Sequence, residues 1–149
     1  MDRSAEGLEL VHLLRATTVQ LQLQAARFGA EHGLHPTDVR ALIALLDATR
    51  AERPATPGHL ATELGLNSAS VTALVDRLER LGLVRRERDP ADRRRVLLVV
   101  SEQATELGWA WFGPLIDAML AALRSFSAAD LAAVRRFLEL MERAASGAG

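Results

Sequence analysis

Residues 60–100 read LATELGLNSASVTALVDRLERLGLVRRERDPADRRRVLLVV, and the fold turns on this stretch. Just before it, Thr56 and Pro57 supply a cap and a first-turn proline, which predicts a short helix ending at Gly65. After the turn "GLN" a second helix starts near Ser68 and keeps Val71, Leu74, Val75 and Leu78 on one face until Gly82 stops it. Two short helices joined by a tight glycine-containing turn form a helix-turn-helix. Beyond Gly82 the chain reads as two strands around "DPAD", where proline after aspartate suits a type I turn. The helix pair therefore runs directly into a β-hairpin.

Working outward, residues 6 to 30 place Val11, Leu14, Thr18, Leu21, Ala25 and Phe28 at alternating spacings of three and four, the seam of a helix that packs on a partner helix. Gly33 closes it. A second helix over 36 to 50 follows from Pro36 at a first helical position and from Val39, Leu42, Ile43 and Leu46. Ser101 caps a long helix, EQATELGWAWFGPLIDAMLAALRSF, with a bend expected near Gly113 and Pro114. Ser127 and Asp130 stand at capping-box spacing before a last helix that repeats Leu131, Val134, Leu138, Met141 and Ala145. With no internal repeat and no low-complexity linker, residues 1–149 are expected to form one domain, mainly α with a small β-hairpin.

Composition narrows the function classes. At 149 residues and 49% hydrophobic content the chain can bury one core. It contains no cysteine, which removes disulfides, thiolate metal sites and thiol nucleophiles. The opening MDRSAEGLEL lacks the pattern of a secretory signal, and no apolar run approaches the roughly 18 residues of a membrane span, so a cytoplasmic protein with no membrane partner is expected. No activated nucleophile, phosphate-cradling glycine loop or catalytic carboxylate pair is visible, so an enzyme is not expected and no cofactor is implied. Of the four histidines, His12, His32, His35 and His59, the HGLH pair has a metal-like spacing. It straddles a glycine break, has no cysteine companions, and His35 suits a helix start, so no metal site is expected.

Charge points elsewhere. The chain has a net charge of -1, yet residues 85–95 hold six arginines against Glu87, Asp89 and Asp92. That excess is the local footprint needed to neutralise phosphates. On the outer face of the second helix stand Ser68, Ser70, Thr72, Ala73 and Arg77, small groups and one long cation that let a helix backbone approach a DNA major groove. Taken alone, those residues describe a solvated helix face better than a DNA contact; the arginine hairpin behind them reverses that balance and favours double-stranded DNA as the partner. On the first strand, Arg85, Arg86 and Arg88 alternate between solvent and ion pairing with Glu87 or Asp89, which leaves Arg93 and Arg94 beyond the turn as the expected DNA contacts.

The order of helices, the 60–102 stretch and the Asp-x-Arg pattern at Asp92 to Arg94 resemble the MarR family of winged helix-turn-helix transcriptional regulators across nearly the whole chain. The family often carries an arginine directly after the recognition-helix threonine, where this chain has Ala73, and its usual threonine and glycine at the start of the long helix are Ser101 and Ala104 here. The resemblance implies dimerisation helices over 1–35 and 101–149 around a DNA-binding core at 36–100, and a homodimer on a pseudo-palindrome with half-sites about 10 base pairs apart. The seam over 11–28 and the repeat over 131–145 independently ask for a partner. By similarity Arg94 is the wing-tip residue that enters the minor groove, with Asp92 orienting it. The family commonly responds to small aromatic or phenolic ligands, for which His12, Arg15, Trp109, Trp111 and Phe112 are the candidates. Trp109 and Trp111 are two apart on a helix and cannot both line one pocket. The competing expectation is a winged-helix protein–protein interaction module that has lost DNA contact, with Ala73 as its best support.

Overall fold

Leu45, Leu60, Val71, Val75 and Leu78 keep at most 1% of their surface exposed, and the elements that carry them define the core. The computed structural model describes residues 3–147, apart from the side chain of Arg3. In chain order it comprises α1 (Arg3–Glu31), α2 (Pro36–Arg50), α3 (Pro57–Leu64), α4 (Ser68–Arg80), β1 (Val84–Arg88), β2 (Val96–Val100), α5 (Glu102–Leu123) and α6 (Ala128–Ser146). The chain divides into two compact units, one up to Leu107 and one from Gly108, so α5 begins in the first and ends in the second. None of the described helices is long and apolar enough to cross a membrane.

In the first unit α2, α3 and α4 close over each other, and β2 lies against α2 and α3. Local chemistry sets the ends of these elements. The Thr56 hydroxyl accepts from His59 N at 3.1 Å, and the Asn67 side chain accepts from Ser70 N at 2.8 Å. Gly65 and Gly82 take positive φ, 64° and 71°, which lets Leu66 N donate to Ala61 O and Leu83 N to Leu78 O. A Cβ at Gly82 would also approach Gln103 Oε1 at 3.2 Å, so both conformation and space call for glycine there.

β1 and β2 pair antiparallel, Val84 with Val100 through Arg88 with Val96, leaving residues 89–95 as the connecting loop. Two strands alone are marginal. The root is secured by buried Leu83, Val84 and Leu98, and by Leu98 N donating to Ala55 O at 2.7 Å. At the tip Asp89 is 4% exposed; it accepts from Ala91 N at 2.8 Å and from Arg95 Nε at 2.6 Å. The bond from Ala91, then that from Arg95, hold the Asp89 carboxyl below the ordinary aspartate value of 3.8.

The most consequential polar contact ties α4 to α2. Asp38 has no exposed surface, and Arg77 Nε donates to both its oxygens at 3.1 Å while Nη2 donates to Oδ1. Asp38 Oδ2 also accepts from His35 N at 2.9 Å, so the carboxylate caps α2 and receives Arg77 together. Its hydrogen bond to Asp38 raises the Arg77 pKa, more than offsetting desolvation.

In the second unit Ser127 Oγ accepts from Asp130 N and Asp130 Oδ2 accepts from Ser127 N, a closed capping box that opens α6. That bonding, led by the Ser127 hydroxyl, lowers the Asp130 pKa. Pro114 sits inside the continuous run of α5, and α6 buries none of its described residues.

Two outcomes follow. Arg77→Met strands the buried carboxylate of Asp38 and should cost about 3–5 kcal/mol in chemical denaturation, whereas Asp38→Leu combined with Arg77→Met should recover most of it. A double variant no more stable than the single would show that the pair is not the source of the loss. Because the Asp89 pKa is depressed on folding, its contribution is complete above the unfolded value and is lost as pH falls from 3.8 through the lowered one. The protection factor of the Ala91 amide, the exchange rate of the unfolded chain at the same pH divided by its own, should fall in that window, and Asp89→Asn should remove this pH dependence.

Candidate nucleic-acid interface

With Val71, Leu74, Val75 and Leu78 turned into the core, the opposite crest of α4 is fixed by the turn of about 100° per residue. Ala69, Ala73, Asp76 and Arg80 occupy that crest, at spacings of four, three and four, and all are exposed. Ser68, Ser70 and Thr72 are exposed as well, on the flanks of the crest. Thr72 Oγ1 donates to Ser68 O at 2.9 Å, which leaves its lone pairs and methyl group for an outside partner. The four-residue crest was legible in the sequence, because the buried periodicity determines its own opposite face. The outermost residues of α4 are thus two alanines, a carboxylate and an arginine.

Arg77 differs from the sequence expectation of a cation available to phosphate or guanine. Its side chain is 34% exposed, and its Nε and Nη2 are occupied by Asp38. No local pattern marks this partner, 39 residues away in the chain.

The hairpin arginines divide into two sets. Arg85 pairs with Glu87, and Arg95, not a first-strand arginine, takes Asp89. Arg86 reaches back to α4, where Nη2 donates to Asp76 Oδ1 at 2.9 Å, Nη1 to Glu79, and its backbone N to Glu79 Oε1 at 3.1 Å. Burial works against the Arg86 charge, but Asp76 and Glu79 more than compensate, so its pKa is raised. Arg88, Arg93 and Arg94 have no carboxylate partner among the described residues. Arg88 Nη1 instead donates to Arg93 O at 3.0 Å, bringing these cations to one end of the wing. Asp92 accepts from the backbone N of Arg94 at 3.0 Å. It shapes the turn that presents Arg94 and does not grip its guanidinium.

The candidate effector residues are less concentrated. His12 and Arg15 are exposed on α1. In the α5 segment of the other unit, Trp109 is 59% exposed while Trp111 and Phe112 are half-buried. A shallow depression of about 240 Å³ lies between α2 and α3, lined by Arg40, Ile43, Ala44, Asp47, Glu63 and Leu64, and involves none of those five. The HGLH histidines serve the α1–α2 connection: His32 Nδ1 lies 2.8 Å from Phe28 O, with its ring against Phe28, and His35 is the N-cap of α2. Among the described residues no three potential metal ligands cluster.

Comparison with known proteins agrees with this architecture. A model of the MarR family matches residues 32–95, the α1–α2 connection through the wing loop. A Bacillus subtilis protein described as the uncharacterized HTH-type transcriptional regulator YcgE is 39% identical over 132 residues, covering 89% of this chain and 81% of its own length. A solved structure of a MarR family protein from Bacillus stearothermophilus superposes with a TM-score of 0.65 at 25% identity, covering 98% of this chain and 99% of that one. The fold is also that of S. aureus MepR in a MepR–DNA complex, with a TM-score of 0.57 at 18% identity over 90% of this chain and 98% of that one. The helix-turn-helix, the first wing strand and the wing loop lie within the residues that the family model matches, and the likeness to YcgE spans most of the chain: the protein belongs to the MarR family of winged helix-turn-helix transcriptional regulators.

Proposed function

We propose that the protein is a homodimeric repressor that binds a pseudo-palindromic operator and is released by a small aromatic or phenolic ligand. The observation that carries the DNA reading is the combination of an exposed α4 crest with three uncompensated arginines, Arg88, Arg93 and Arg94, at the end of the adjoining wing. On this reading Ser68, Ser70 and Thr72 contact base edges or phosphates in the major groove. Arg94 enters the minor groove, Arg93 meets backbone phosphate, and Asp92 holds the turn that presents both. Arg77 acts mainly through the placement of α4. The DNA complex of the similarly folded MepR supports the same use of the fold.

Dimerisation is supported by apolar surface. Leu8, Leu10, Val11 and Leu13 are exposed on α1, as are Leu131, Leu138 and Leu140 on α6. Such surface is stable in water when a second copy covers it. The ligand contacts are taken one element at a time: on α1, His12 and Arg15 offer donors suited to a phenolate or carboxylate, and on α5 the exposed Trp109 offers an aromatic face. Ligand contact with α1 or α5 alters helices that lead into the DNA-binding elements, which is how release would be transmitted.

Selection of bound DNA from a random pool tests dimer, function and spacing together. The expected product is a palindrome with half-sites about 10 base pairs apart; no enrichment under low salt would favour the protein-interaction module instead. A second measurement reads the wing. If only three arginines per wing meet DNA, the wings of a dimer contribute a salt slope on the order of −5, against about −11 were all six engaged. Arg94→Ala should lower that slope by about 2 per dimer and weaken binding, while Arg85→Ala, which removes an already paired cation, should leave it nearly unchanged.

A further inference from the structure

The wing is a lever fixed at its root. Leu98 N binds Ala55 O, and Ser101 N binds Leu83 O. Among the described residues the polar contacts beyond the Arg86–Leu98 ladder pair, toward the tip, stay within the hairpin: Glu87 with Arg85, Arg88 with the Arg93 carbonyl, and Asp89 with Ala91 and Arg95. Arg86 is therefore the outermost polar tie between hairpin and helices among the described residues. From there the ladder continues two more residues to Arg88–Val96, about 7 Å at roughly 3.4 Å per residue, before the loop that carries Arg93 and Arg94 begins.

The geometry of that tie is unusual for a surface ion pair. Arg86 engages Asp76 with one terminal nitrogen and Glu79 with the other, and its backbone N donates to Glu79 as well. The guanidinium is planar and presents its donors in a fixed fork, so two carboxylates on one helix restrict its direction as well as its distance. Asp76 and Glu79 are themselves on α4, whose neighbouring Arg77 is anchored in Asp38 of α2. Asp76 also occupies the exposed crest that would face DNA, where a carboxylate is an electrostatic cost unless it has another task.

We propose that Arg86 is a positioning residue that locks the wing to the recognition helix and thereby fixes the spacing between the major-groove and minor-groove contacts along DNA. This rests on the DNA-binding reading above. Two independently moving contacts would tolerate different spacings of their target elements; one rigid reader measures a single spacing. The acidic residues on the recognition helix are then the receiving half of this lock.

The test uses the full-length protein and the palindrome obtained by selection. Binding is compared on that sequence and on versions with one base pair inserted between each major-groove core and its outer minor-groove tract. Wild-type protein should lose affinity on the shifted DNA by a factor comparable to a mismatch, roughly 5- to 150-fold. Arg86→Ala should bind the original sequence more weakly, and the ratio between original and shifted DNA should fall toward one. Asp76→Ala combined with Glu79→Ala removes the lock from the other side and keeps the arginine, so the same loss of spacing discrimination is expected. Arg86→Lys should restore only part of it, since an ammonium lacks the fork. Circular dichroism melting sets the binding temperature below every variant's transition; should Arg86→Ala fail to fold, the acidic double variant decides alone. An unchanged ratio in the folded variants overturns the proposal. So does a double variant that binds more tightly with a steeper salt slope and the same ratio, the result expected of a direct phosphate contact. Wild-type protein that binds no DNA overturns the functional reading itself and is recognised before any variant is made.

Discussion

A carboxylate with no exposed surface has to be satisfied where it stands, and Asp38 is satisfied by bringing α4 to α2. Its partner Arg77 lies on the border between the buried face of α4 and the crest, so the ion pair limits rotation of the helix about its own axis. Apolar packing of Val71, Leu74, Val75 and Leu78 supplies most of the attachment, but it is non-directional; the fork of an arginine on a carboxylate is directional. The crest of α4, and through Asp76 and Glu79 the bearing of the wing, inherits its orientation from this contact.

The same logic resolves the concentration of charge in a chain with a net charge of -1. Arginine in this segment does two kinds of work. Arg85, Arg86 and Arg95 each find a carboxylate and hold the hairpin together or against α4. Arg88, Arg93 and Arg94 carry the positive field outward. Exposed ion pairs contribute little each to stability, so their value here is in shape: they set which cations are left over and where.

The terminal helices present the complementary picture. α6 buries none of its described residues although its apolar positions recur at helical spacing, and α1 leaves large aliphatic side chains in solvent along its first half. At the other end of α1 the chain turns inward, with Phe28 and Leu34 buried and Gly29 so close to Leu34 O that an added Cβ would lie at 3.0 Å. α1 is therefore anchored to the DNA-binding elements at its C-terminal end and unsatisfied at its N-terminal end.

Much of this was legible in the chain itself. Helix starts and stops at Thr56, Pro57, Gly65 and Gly82, the capping box at Ser127 and Asp130, and the buried face of α4 depend on residues a few positions apart, so local chemistry determines them. So does the existence of the hairpin, set by Gly82, the apolar strand Val96–Val100 and the turn between the strands. What only the tertiary structure decided is the fate of individual charges. Arg77 finds Asp38 across 39 residues, Arg86 chooses the acids of α4 over Glu87 and Asp89, and Asp89 sinks into the turn with Arg95. Long charged side chains have many carboxylates within reach in any sequence; which one they meet depends on how packed helices bring distant segments together, and spacing along the chain does not encode that.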